Sequence, residues 1–316
     1  MSDTTDIGTA SSLPVRIEIP GYRIRRQVGS DSIGLWFDAE QESLQRKLTI
    51  KVLKPKYEKH EKAREHFLAE MDRLAGLDHA NLTRLIDARR DDPLLLVVER
   101  IGVKSLETAL RPAKPLAEGV ALQTMLGVTR ALRYLVRKGF AHKNVTPRFV
   151  MLRDEGHCRL VTFRNVLTLD ELRALRGKLV QDSHYIAPEQ LTGSAEIGGK
   201  THVYQIGALL FHLFSGRAPF APLKDQKELA KAHLQSEFPL LRKLQPFLRR
   251  AISDLIEACT QRPPDSRPSL EDLEHALALM IDGKDPGIKP GATSVDENAP
   301  KGIVAPKPRR RRRRRY

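Results

Sequence analysis

Chemistry can first be read in this 316-residue chain at Gly29-Ser30-Asp31-Ser32-Ile33-Gly34-Leu35-Trp36. Glycines at such spacing let backbone amides approach phosphate oxygens, because no Cβ stands in the way. Asp31 interrupts the pattern with a carboxylate facing where those oxygens would lie. A glycine loop alone is a weak signal. At the other end, Pro306-Lys307-Pro308 leads into Arg309, Arg310, Arg311, Arg312, Arg313, Arg314, Arg315 and Tyr316. Like charges repel and nothing is buried, so this run reads as disordered. It suits a polyanion through phosphate contacts and counterion release. RNA, DNA, an acidic protein or an anionic lipid surface would each serve. No aromatic residue interleaves the arginines, so base stacking is not expected. The plain alternative is a solvated tail with no dedicated partner.

The net charge of +15 is concentrated in that tail. Residues 301–316 carry nine positive charges and no acidic residue, leaving +6 for residues 1–300. The basic balance therefore does not mark a nucleic-acid-binding fold. A hydrophobic fraction of 41% fits a globular body with a core. No apolar run is long enough for a bilayer, and Met1 to Pro14 lacks the regions of a signal peptide. Cys158 and Cys259 lie in apolar stretches; they could in principle pair, but read rather as buried free thiols, and no metal-ligand spacing occurs.

The elements that must position the chemistry follow from periodicity. Residues 20–56 read as short strands and 60–77 as a helix with Ala63, Phe67, Met71 and Leu74 on one face. A strand at Leu94 to Val98, a helix over 117–139 and two strands near 150–152 and 158–161 follow. Helices are expected at roughly 202–215, 225–234, 247–259 and 269–282. Thr168-Leu169-Asp170-Glu171 is a capping-box pattern and predicts a short helix near 169–177. That helix could lie across the cleft or pack on the surface of the second half. A strand-rich half before a helix-rich half implies α+β organisation with a cleft between.

Further landmarks follow the loop in order. They are Leu48-Thr49-Ile50-Lys51, Phe67-Leu68-Ala69-Glu70, His142-Lys143-Asn144-Val145-Thr146-Pro147-Arg148-Phe149, Leu160-Val161-Thr162-Phe163-Arg164, Ala187-Pro188-Glu189 and Ser266-Arg267-Pro268. Over about residues 20–280 the chain resembles a eukaryotic-like Ser/Thr protein kinase, of the sort bacteria also use. The resemblance implies a two-lobed fold with an N-lobe at about 19–101 and a C-lobe at about 102–282. Residues 1–18 would be a disordered N-terminal segment, and 283–316 a disordered Pro/Gly linker and Arg-rich tail.

The resemblance also assigns roles and shows what is missing. Gly29, Gly34, Lys51 and Glu70 match the nucleotide site, where the lysine holds phosphates and the glutamate orients it. Given what is missing elsewhere, the pair reads rather as an ion pair tying helix to sheet without nucleotide. Trp36 replaces the valine that packs on adenine, and could fill the base pocket or turn outward. The base position is Asn144, whose amide cannot take a proton near neutral pH. The neighbouring lysine position is Thr146. The two metal positions are Phe149, which has no donor atom, and Thr162, a poor ligand for a hard dication. The structural signature is kept at His142, Phe163, Glu189 and Arg267, while His202 replaces a bracing aspartate and Asp182 a substrate-pocket threonine.

These features point to a soluble, cytoplasmic, catalytically inactive kinase homologue that binds a protein partner, its tail engaging an anionic one. No cofactor is expected. Two alternatives stand: an active but atypical Ser/Thr kinase using Asp31, Asp170 or Glu171 as replacement carboxylates, and a sensor that binds ATP without magnesium.

Overall fold

The computed structural model describes residues 6–7, 18–101, 104–110, 114–153, 156–162, 165–174, 183–193 and 197–290. The N-terminal lobe is an antiparallel sheet built from β1 (Asp6–Ile7), β2 (Tyr22–Ser30), β3 (Gly34–Gln41), β4 (Arg46–Leu53), β5 (Leu85–Arg89) and β6 (Leu95–Glu99), in the order β1-β2-β3-β4-β6-β5. Asp6–Ile7, placed by sequence in a segment without structure, instead adds an edge strand opposite Gly29 and Ser30.

Alternation along the strands sorts the two faces of this sheet. Leu48, Ile50 and Val52 of β4 join Phe37, Ala39, Leu95 and Val97 in one apolar cluster. The intervening Thr49 and Lys51 face the opposite side, and Trp36 stands directly across from Lys51. On that side lies helix α1 (Glu61–Ala75), which buries Ala63, Phe67, Glu70, Met71 and Leu74. Their three- and four-residue spacing is the apolar stripe read from sequence. The His60 ring accepts from the Ala63 N–H to cap its start.

The second lobe is helical. Helix α2 (Leu106–Ala109) leads to α3 (Glu118–Arg137). The short strands β7 (Phe140–His142), β8 (Val150–Leu152), β9 (Cys158–Leu160) and β10 (Val166–Thr168) then form the pairs β7–β10 and β8–β9. They are followed by α4 (Leu169–Ala174), α5 (Pro188–Thr192), α6 (Gly199–Ser215), α7 (Gln226–Gln235), α8 (Leu241–Leu244), α9 (Arg250–Cys259) and α10 (Leu270–Ile281). Helix α6 is buried along nearly its whole length, as its all-round apolar sequence requires, and packs against α3 and α9. It stops at Gly216, whose φ of 70° suits a residue without Cβ.

One continuous core cluster runs from Trp36 and Phe67 in the first lobe through Phe149 and Val161 to Leu209 and Leu277 in the second. Cys158 and Cys259 are buried free thiols, their ionisation pushed up to about 12 by burial. No described helix is long and apolar enough to cross a membrane. Asp182, Phe163, the linker beyond residue 290 and Arg309 to Arg315 lie outside the described residues.

Candidate functional site

Lys51 is the centre of the cleft. β4 presents it beneath the glycine loop and α1 presents Glu70 from the other side. Its Nζ lies 2.9 and 2.7 Å from the two Glu70 carboxylate oxygens. The same ammonium lies 2.7 Å from Asp31 Oδ2. Lys51 is wholly buried, and Asp31 and Glu70 are each 2% exposed. A dry cation between two carboxylates holds only while its hydrogen bonds are satisfied, since desolvation opposes the attraction.

Asp31 is satisfied from several sides. Its Oδ1 accepts from the N–H groups of Ile33 at 2.9 Å and Gly34 at 2.8 Å. Its Oδ2 accepts from Trp36 Nε1 at 3.3 Å, and its carbonyl accepts from Lys54. Backbone amides in a tight turn, joined by an ammonium, form an anion site. Here that anion belongs to the chain. Gly34 is needed for the arrangement, because a Cβ there would land on the Lys51 side chain. Gly29 is held within the sheet, paired with Trp36 on one side and Ile7 on the other.

Trp36 is turned inward and is 0% exposed, so the outward alternative does not hold. Its ring centre lies 5.9 Å from Lys51 Nζ, on the side of the loop where Asp31 sits. In the middle of β4, Thr49 Oγ1 accepts the N–H of Ile101, two residues beyond the end of β6, at 3.0 Å. Nothing in the order of residues announced this contact. It joins positions 52 apart in the chain.

Across the cleft, the segment from His142 to Phe149 is packed as core. Phe149 is 3% exposed and meets the His142 ring at 6.0 Å. Thr146 and Thr162 are each 1% exposed, and among the described residues the Thr162 hydroxyl has no hydrogen bond. Asn144, in contrast, is half-buried. A magnesium ion of the kind the fold uses would need donors at 149 and 162. A phenyl ring and one buried neutral hydroxyl do not fit that ion. Among the described residues, no group of three or more His, Cys, Asp or Glu could hold a metal.

His142 accepts no charge. Burial pushes its ionisation down to about 3, and its Nε2 donates to the Val161 carbonyl at 3.0 Å. His202, on α6, does what the resemblance assigned to a bracing aspartate. Its Nε2 accepts the His142 backbone N–H at 3.4 Å while its Nδ1 donates to Gln205 Oε1 at 2.9 Å. Gln205 donates on to Gln190, which accepts the Ala187 N–H. Burial holds His202 neutral, with its ionisation near 4. A chain of neutral groups thus braces the loop. A lone histidine in the sequence could not reveal it, because Gln205 and Gln190 sit on different helices.

The three candidate replacement carboxylates are not brought together. Asp31 is buried under the loop, whereas Asp170 and Glu171 are exposed at the start of α4. Glu171 closes the expected capping box with Thr168 and pairs with Arg73 of α1 at 3.0 Å. Leu172 anchors the helix against Ala141 and Ile197. The described part of the helix therefore packs on the second lobe and reaches the first through the Arg73–Glu171 ion pair. Its described part ends at Ala174, short of the expected 177.

Glu189 and Arg267 form a further buried charge pair, with two bonds of 2.7 and 2.9 Å. Arg267 also donates to the carbonyls of Gln261, Lys200 and Arg262, and its guanidinium lies 4.9 Å from the Tyr204 ring centre.

Residues 22–277 match the protein kinase domain family. The serine/threonine-protein kinase PrkC of Bacillus subtilis is 26% identical over 89% of this chain and 44% of its own length. The serine/threonine-protein kinase PknJ of Mycobacterium tuberculosis is 28% identical over 83% of this chain and 46% of its own length. The serine/threonine-protein kinase pkn2 of Myxococcus xanthus is 28% identical over 81% of this chain and 32% of its own length. The chain thus spans less than half the length of each of these relatives.

Proposed function

This chain belongs to the protein kinase domain family, and from that premise we propose that it is a catalytically silent member, a binding or scaffolding module for a protein partner. One observation carries the reading. The base position and both metal positions are occupied by Asn144, Phe149 and Thr162, and the last two are buried as core. Losing a positioned base alone lowers a rate by about 10²–10⁴. Without a metal, the charge of a transferring phosphoryl group is also unscreened. What is kept, Glu189–Arg267 and Lys51–Glu70, holds elements together. The arginines from 309 to 315 add affinity for an anionic partner, and the module acts in the cytoplasm.

The test is transfer of the γ-phosphate of ATP to a generic protein substrate and to the chain itself, with magnesium and with manganese. No transfer above that of a Lys51→Met variant is expected. Transfer that vanishes in the Lys51→Met variant overturns the silent reading in favour of an active serine/threonine kinase, the activity named for the relatives. A metal-independent ATP sensor finds support in the retained Lys51–Glu70 pair, although the Asp31 carboxylate already engages that lysine.

A further inference from the structure

We propose that Asp31 is a built-in anionic occupant of the phosphate loop, so that the closed arrangement of loop, Lys51 and α1 needs no nucleotide. A polyphosphate could then enter only by expelling the chain's own carboxylate. The inference deepens the silent reading by naming what fills the site, and it rests on that reading for where phosphates would lie.

The donor set is the argument. Two backbone N–H groups of the loop, one indole N–H and one ammonium converge on a single carboxylate. Amides and a lysine aimed at one point are what a phosphate group requires. Asp31 is 2% exposed, so these donors are not left to water. The carboxylate is also tethered within the loop it fills. Its effective concentration exceeds that of any diffusible anion, because no translational freedom is lost when it docks. An incoming polyphosphate would meet Asp31 and Glu70, two negative charges sharing one buried lysine.

Other contacts close the same region. Lys54 donates to the Asp31 carbonyl, and β1 pairs along the outer edge of the loop at Gly29 and Ser30. Thr49, on the same face of β4 as Lys51, takes the Ile101 N–H. Lys51 therefore keeps Glu70 and α1 in the docked position by reaching a carboxylate of its own chain.

The molecule carries its own probe. Trp36 is the only tryptophan, and its Nε1 lies 3.3 Å from Asp31. Sodium tripolyphosphate, with no base to place, is titrated into the full chain while Trp36 emission is followed. This readout is local to the cleft, and a chain lacking residues 301–316 controls for anion binding by the arginine tail. The wild type is expected to show no saturable change into the millimolar range. Asp31→Gly is expected to show one at an at least tenfold lower concentration, lost again when Lys51→Met is added. Asp31→Asn, which keeps an acceptor oxygen and removes the charge, covers the case in which the glycine variant does not fold. A folded Asp31→Gly or Asp31→Asn chain that takes no tripolyphosphate overturns the proposal. So does a wild type that binds as tightly as either variant. Phosphate transfer by the wild type sinks the silent reading. A folded, unresponsive Asp31 variant without transfer sinks only this inference.

Discussion

At the residue scale, the cleft is governed by a three-membered charge group and by histidines kept neutral. Lys51→Met would leave Asp31 and Glu70 buried without their cation. Removing one partner of a buried pair costs about 3–5 kcal/mol, most of it the stranded charge. Urea unfolding should show a loss of that order. Adding Asp31→Ala to Lys51→Met should restore part of it, since one stranded charge is then gone. Equal and additive losses would mean that the two groups are not coupled.

The histidines predict a pH dependence of fixed sign. His142, His202 and His212 are depressed by burial to about 3, 4 and 4, from an unfolded value near 6.5. The unfolded chain therefore binds more protons below pH 6.5, and their contribution to stability is fully present above that pH. It declines as pH falls from 6.5 towards 3, by up to about 1.4 kcal/mol per pH unit for each histidine. Unfolding midpoints in urea should fall between pH 7.5 and 5. Replacing His202 by Gln should flatten that fall by about one proton. An unchanged slope would show that His202 is not neutral in the fold.

At the element scale, the same kinds of residue do different work according to where helices and strands place them. Arg267 ties the start of α5 to the turn before α10 through a wholly buried fork. It also satisfies three carbonyls. Arg267→Lys keeps the charge but not the planar donors, so it is not conservative there. A loss of about 3–5 kcal/mol is expected for Arg267→Ala and a substantial part of it for Arg267→Lys, read by thermal and urea unfolding. Arg73–Glu171 is the contrasting case. It joins α1 to α4 with side chains 16% and 45% exposed. Breaking it should shift global stability by under about 1 kcal/mol. The helices were legible because their apolar spacing is local. The docking of α4 was not, because its cap pattern is the same whether it spans the cleft or packs on Ala141 and Ile197.

At the scale of the whole molecule, nine of the fifteen net positive charges lie in residues 301–316, and the other 300 residues carry +6. Removing residues 301–316 should abolish salt-sensitive retention on heparin and leave the melting temperature of the body unchanged. Retention that survives the deletion would move the anion site onto the folded lobes. The matched family region, 22–277, coincides with the two lobes, which share one apolar cluster through the cleft floor. Phe149 belongs to that cluster. The loss of a metal donor at 149 is therefore also a gain of packing, and an Asn restored there would be a buried amide in need of partners.

By itself the sequence determined which functional groups exist. An amide at 144, a phenyl ring at 149 and a hydroxyl at 162 keep their chemistry wherever the chain puts them. It likewise determined the order of strands and helices, because alternation and 3.6-residue spacing act over neighbours. Only the tertiary structure decided what those groups meet. Asp31 lies in the turn between β2 and β3 and Lys51 on β4, Thr49 and Ile101 are 52 residues apart, and His142 and His202 are 60 apart. A carboxylate facing the phosphate site could be read from position 31. That it fills this site, rather than awaiting a metal, depends on the alignment of β3 with β4 and on where α1 docks. Those are set by burial of apolar surface over the whole lobe, which no local pattern records.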